Sequence, residues 1–180
     1  MIVSEINELG GKAVSFLSKD EGIIIARKKI GPSKDLGLVG EIEAVNTKPI
    51  LTRTKDYTIC VICPMGKGRD GKTYNINADD AAARVAISLS SEKLVVLTNV
   101  QGIMRSSEEQ ASFISTLTVD EAKKLIEDGA IQQGMIPKVH SCITVLEGQV
   151  KKAHIIDARI PHALLLEIFT KEGIGTEIIK

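Results

Sequence analysis

Residues Gly66 to Thr73 read GKGRDGKT and satisfy G-x-x-x-x-G-K-[ST]. With that spacing a glycine-rich loop wraps its amides round phosphates while Lys and Ser/Thr reach the terminal phosphate and its Mg²⁺. The apolar run YTICVIC precedes the stretch and the alanine-rich NINADDAAARVA follows it, so the strand-then-helix setting of such a loop is also present. A second candidate is the Cys60-x-x-Cys63 pair, a spacing open to redox or metal chemistry.

The register tells against the phosphate loop. In a working loop the Lys-Thr pair forms the first turn of the helix, so that amides and helix dipole face the phosphates. Here Lys72-Thr73 runs into YNIN, whose polar-apolar alternation is extended, and Asn77 is the natural N-cap with Ala78, Asp79 and Asp80 in the first turn. Two acids at that point repel a phosphate. The next buried strand, LVVLTN, ends in Asn99 where a carboxylate would be needed to hold Mg²⁺. A P-loop NTPase would hydrolyse ATP unaided and depend on Lys72. The cysteines lie in a strand, where residues three apart point to opposite faces. With Cys142 they read as core residues of a protein from a reducing compartment.

The elements that must position any site alternate. SEINELGG reads as the end of a helix closed by Gly10-Gly11. KAVSFL and GIIIARK are strands on either side of SKDEG, LVGEIEAV is a further strand, and YTICVIC is a continuous apolar run of the kind buried on both faces. ADDAAARVAISLS is a helix and KLVVLTNV a buried strand. TVDEAKKLIEDG is a helix opened by a Thr118–Glu121 capping box and stopped by glycine. MIPKVHSCITVLEG has helical spacing, KAHIID is a strand, PHALLLEIF is a helix with Pro161 in its first turn, and GTEII is a strand. Such alternation predicts an α/β fold with a mostly parallel sheet.

The chain has 180 residues, 43% of them hydrophobic, with 23 basic side chains against 23 acidic ones. That balance favours neither nucleic acid nor an anionic membrane. Neither a basic, apolar leader nor a run of membrane-spanning length is visible, so a cytoplasmic location is expected.

Four stretches in order, YNINADDAAARVA, KLVVLTNVQGIM, GMIPKV and AHIIDARIPHALLLEIFTKEGIGT, closely resemble the acetylglutamate kinases of the amino-acid kinase family, from near the first residues to the last. The resemblance implies a three-layer α-β-α sandwich with a mainly parallel sheet, with residues 1–74 as the remainder of an acetylglutamate-binding lobe and 75–180 as a nucleotide-binding lobe. It makes GKGRDGKT a loop leading to the substrate site, its P-loop spelling coincidental. The implied reaction moves the γ-phosphoryl group of ATP, with Mg²⁺ held mainly by the phosphates, to the side-chain carboxylate of N-acetyl-L-glutamate in arginine biosynthesis. Alignment and charge neutralisation dominate such chemistry.

By the same resemblance Lys138 contacts the transferring phosphoryl group and Asp79 orients the catalytic lysines. Asn75 and Asn77 bind acetylglutamate. Thr98, Asn99, Gly102, Gly134 and Met135 hold the nucleotide, with Asn99 standing where the family usually has aspartate. His154, Glu167 and Gly173 match positions that bind feedback arginine in regulated members. The bland counterparts are a solvated helix lysine, a helix cap at Asn77 and Asp79, and a satisfied strand histidine. His140 and His162 lack metal-ligand spacing and read as structural or exposed, and no protein metal site is expected.

The family pattern also begins earlier, with a strand bearing a second catalytic lysine and glycine-rich loops that nothing before Met1 supplies. Gly10-Gly11-Lys12 resembles them but falls where a helix C-cap belongs. An incomplete N-terminal lobe is therefore expected, with weak nucleotide binding, poor turnover in a hydroxamate assay and self-association into homo-oligomers through uncovered sheet edges. The alternative is a nucleotide- or arginine-binding regulatory module without catalysis.

Overall fold

The computed structural model describes residues 1–17, 22–31, 35–104, 113–131, 133–170 and 173–180. The chain divides into two compact units, Met1–Ser88 and Leu89–Lys180.

The first unit opens with helix α1 (Ile2–Glu8), closed by two glycines. Gly10 takes φ +86°. Its N–H bonds to the Asn7 carbonyl at 3.1 Å and that of Gly11 to the Ile6 carbonyl at 2.9 Å, the paired bonds of a Schellman cap. The Gly-Gly-Lys stretch is thus a helix stop, as its position in the sequence suggests. Strand β1 (Ala13–Phe16) pairs in parallel with β4 (Ile59–Ile62), Ala13 opposite Ile59. A four-stranded sheet runs in the order β3-β2-β5-β6, built from β2 (Ile24–Lys28), β3 (Gly40–Val45), β5 (Met65–Gly68) and β6 (Thr73–Asn75). Helix α2 (Lys48–Thr54) inserts Ile50, and α3 (Ala78–Ser88) buries Ala81, Ala83 and Ala86.

In the second unit the sheet order is β7-β9-β10-β8, from β7 (Lys93–Thr98), β8 (Thr116–Thr118), β9 (Lys152–Asp157) and β10 (Thr176–Ile179). β9 runs parallel to β7 and antiparallel to β10, and β10 runs parallel to β8. Three helices accompany it: α4 (Val119–Glu127), α5 (Ile136–Glu147) and α6 (Ala163–Phe169). Val139, Cys142, Val145 and Leu146 of α5 and Ala153, Ile155 and Ile156 of β9 are all 0% exposed. Each large aliphatic among them contributes about 1.5–3 kcal/mol by leaving water. The architecture is mixed α/β, with four parallel ladders and three antiparallel ones among the described residues.

Several local expectations change. YTICVIC is not buried on both faces: Ile59 is 51% exposed, and β1 is the neighbour of β4 among the described residues. An unbroken apolar run fixes extended structure but not how many faces are covered. Cys60 and Cys63 are accordingly half-buried, while Cys142 is buried. The strands before and after SKDEG join different sheets, and residues 18–21 of that turn lie outside the described set. Pro161 precedes α6, whose N-cap is His162 at φ 58°. Helix α2, strand β8 and strand β5, which falls in the stretch expected to be a loop, are not among the elements the sequence predicts.

Candidate functional site

GKGRDGKT forms a β-hairpin. Met65 pairs with Asn75, Gly66 with Tyr74 and Lys67 with Thr73. The Gly68 N–H bonds to the Lys72 carbonyl at 2.8 Å, and Gly71 supplies φ +79° at the bend. The Asp70 carboxylate accepts the Tyr74 hydroxyl at 2.7 Å and the Lys72 amide at 3.1 Å, and these bonds, the tyrosine's first, hold its pKa below the usual value. The Gly68, Gly71 and Lys72 amides are therefore spent within the hairpin, and Lys72 lies outside any helix. Its ammonium instead stands 3.9 Å from Asp70.

The hairpin delivers the first candidate group. Tyr74 and Ile76 are 3% exposed each, which by strand alternation turns Asn75 and Asn77 outward; both are exposed. Asn77 Oδ1 accepts the Asp80 N–H at 3.0 Å, so it caps α3 as its residue type suggests. Asp79 sits half-buried in the first turn of that helix. Asn75, Asn77 and Asp79 thus lie within one strand end and helix start of the first unit.

The second unit carries the remaining candidates. β7 and β9 are parallel, with Thr98 opposite Asp157, and the crevice outside the carboxyl ends of such strands is where α/β sheets bind ligands. Thr98 is half-buried and Asn99 exposed at that end. Beyond them is a cavity of about 120 Å³ lined by Val100, Gly102, Ile103, Ala130, Ile131 and Met135. Met135 is also the N-cap of α5, and Pro137 occupies its first turn. Lys138 follows as the third helical residue, half-buried, so a cation is added to the positive end of the helix dipole. Gly134 is exposed beside it. A largely apolar cavity that shares Met135 with a basic helix N-terminus can take a flat ring with a phosphate tail.

His154, Glu167 and Gly173 come together as a third group. His154 Nδ1 lies 2.5 Å from Glu167 Oε1, and both residues are under 10% exposed. Glu167 Oε2 accepts the N–H groups of Ile174 at 2.8 Å and Gly175 at 3.1 Å. Gly173 adopts φ +62°, where a Cβ would stand 3.0 Å from Glu167 Oε2. Burial alone would raise the Glu167 pKa, but the Ile174 amide, the His154 ring and the Gly175 amide together hold it below the usual carboxylate value. His154 Nε2 is buried without a hydrogen-bond partner among the described residues, 3.7 Å from Glu177.

Asp157 was not singled out by the sequence reading. It is 3% exposed at the end of β9 and is gripped by Arg159 at 2.7 Å. That guanidinium is the main cause of its lowered pKa. Its only signal in the sequence was an acid closing an apolar strand. His140 and His162 are exposed. Among the described residues no group of three or more His, Cys, Asp or Glu side chains is placed to hold a metal ion, and no helix is long and apolar enough to cross a membrane.

Comparison with known proteins matches residues 1–157 to the amino acid kinase family. The acetylglutamate kinases of Petrotoga mobilis and Caldanaerobacter subterraneus are each 50% identical to this chain over 179 residues, 99% of the chain and 60% of the relative. The chain therefore spans about 60% of the length of these curated relatives. The N-acetylglutamate synthase of Neisseria gonorrhoeae, solved with coenzyme A and N-acetyl-glutamate, superposes with a TM-score of 0.88 at 30% identity, over 98% of this chain and 40% of that one. Its complex with coenzyme A and L-arginine gives a TM-score of 0.83 at 31% identity, covering 94% and 38%.

Proposed function

Because the chain belongs to the amino acid kinase family, we propose that it is the nucleotide-holding part of an acetylglutamate kinase, with the end of the acetylglutamate lobe attached. The reaction is transfer of the γ-phosphoryl group of ATP to the side-chain carboxylate of N-acetyl-L-glutamate. Residues 1–74 belong to the substrate lobe and 75–180 to the nucleotide lobe. The observation that carries the reading is the cavity beside Gly102 and Met135, adjoining the helix start that bears Lys138.

In this reading the cavity takes the base, with Thr98, Asn99 and Gly134 on its approach. Lys138 and the α5 amides neutralise phosphate charge where it grows during transfer. Asn75 and Asn77 hydrogen-bond acetylglutamate, and Asp79 orients the catalytic lysines. Mg²⁺ would be held mainly by the phosphates of the ATP and would supply charge stabilisation there. The protein works in the cytoplasm as a homo-oligomer.

A second reading, binding of arginine as a regulatory ligand, is favoured by the convergence of His154, Glu167 and Gly173. The L-arginine complex of the similar gonococcal synthase supports it.

The test is calorimetric titration of MgATP into the chain and its Lys72→Ala and Lys138→Ala variants at one salt concentration. Lys138→Ala should weaken binding about tenfold, the loss of one charged contact, while Lys72→Ala leaves it unchanged. The reverse dependence would return the phosphate-loop reading and sink this one.

A further inference from the structure

The segments entering and leaving residues 105–112 meet at Ile103 and Ile114. The Ile114 N–H donates to the Ile103 carbonyl at 3.0 Å, and Met104 bridges Phe113 in antiparallel sense. In a regular antiparallel pair the Ile103 N–H would return the bond to the Ile114 carbonyl. Instead both groups are taken by one side chain. Thr176 Oγ1 accepts the Ile103 N–H at 2.9 Å and donates to the Ile114 carbonyl at 2.6 Å. Thr176 is 0% exposed, so its hydroxyl is the relay that keeps both backbone groups satisfied away from water.

We propose that Thr176 is a positioning residue for the base-binding cavity, its hydroxyl wedged into the Ile103–Ile114 pair to set where Gly102 and Ile103 stand. The assignment rests on the nucleotide reading above. Gly102 and Ile103 line the cavity, and Gly102 approaches so closely that a Cβ there would stand 2.6 Å from Thr176 Oγ1. The hydroxyl is itself fixed, because the two preceding amides are pinned by Glu167 and Thr176 starts β10 between β9 and β8. In the sequence the Gly175-Thr176 pair closes the stretch that carries the family resemblance and opens the GTEII strand.

The role predicts an effect on the base and none on the phosphates, which Lys138 and the start of α5 serve. MgATP and magnesium tripolyphosphate are therefore titrated separately into the unaltered chain, Thr176→Val and Thr176→Ser. Valine keeps the volume but cannot relay a hydrogen bond, so MgATP affinity should fall about tenfold with tripolyphosphate affinity unchanged. Serine should restore MgATP affinity to within about twofold, since it keeps the hydroxyl. Should the valine variant not fold, Thr176→Ala removes the same relay with a smaller side chain and should give the same split. Equal losses for both ligands, no loss for either, or a serine variant as weak as valine overturns the proposal. Failure of the unaltered chain to bind MgATP overturns the nucleotide reading itself, and this assignment with it.

Discussion

The ring of His154 and the carboxylate of Glu167 face each other at 2.5 Å, joining β9 to α6 inside the second unit. The same carboxylate holds the backbone at Ile174 and Gly175, so a single side chain ties a strand, a helix and the turn entering β10.

A pH dependence follows from this arrangement. Glu167 has its folded-state pKa held below the ordinary 4.5. Its carboxylate therefore contributes stability that is present above that value and lost as pH falls through the lower, folded-state pKa. Glu167→Gln should lower stability by about 1–3 kcal/mol at neutral pH, and the gap should close in acid. Thermal unfolding midpoints of both proteins between pH 7 and pH 3 check this; a gap constant with pH would refute it.

Gly175 packs its Cα against the Ile155 carbonyl, and a Cβ there would collide with that backbone oxygen. Gly175→Ala must push β10 away from β9 and should cost about 1–3 kcal/mol. Urea unfolding with an unchanged midpoint would show that the strand yields without penalty.

The Thr118 hydroxyl accepts the Glu121 N–H at 3.2 Å while Glu121 Oε2 accepts the Thr118 N–H at 2.8 Å. Thr118→Ala removes half of this capping box and should destabilise the protein by about 1 kcal/mol. MgATP binding should be untouched in the same calorimetric titration.

Thiol reactivity separates the cysteines. Cys142 is 0% exposed on α5, whereas Cys60 and Cys63 are half-buried, with burial pushing the Cys60 thiol pKa up. A disulfide-exchange reagent should label Cys63 first, Cys60 slowly at pH 7 and Cys142 only on unfolding. Mass spectrometry of the labelled native protein would contradict this if Cys142 carried label.

The legible parts of the fold were those with local physical signals. The α4 capping box, the Asn77 cap, the Gly10-Gly11 helix stop and the extended YNIN each rest on residues within a few positions of one another, and the structure carries all four. Those signals were enough to separate the GKGRDGKT hairpin from a phosphate loop. Partnering across the chain was not legible. Nothing near Ile59 says that β4 has one described neighbour, and nothing near Thr176 says that its hydroxyl meets Ile103, 73 residues away. Asp157 was not legible because its burial at the end of β9 is set by packing across the chain, and only its pairing with Arg159 is local. The gathering of His154, Glu167 and Gly173 came from family resemblance, because no periodicity links a strand, a helix and a turn.

The order β7-β9-β10-β8 also governs when the second unit can assemble. β10 (Thr176–Ile179) lies inside the sheet, and β8 (Thr116–Thr118) joins through it alone among the described strands. A growing polypeptide on the ribosome can pair β7 with β9 only once Lys152, 59 positions after its partner Lys93, has emerged. β8 must then wait, without its partner, until residues about sixty positions later have emerged, a non-local closure of the kind that slows folding. Completion of this sheet thus waits on β10, and the interval before β10 emerges is when a holding chaperone would find β8 unpaired.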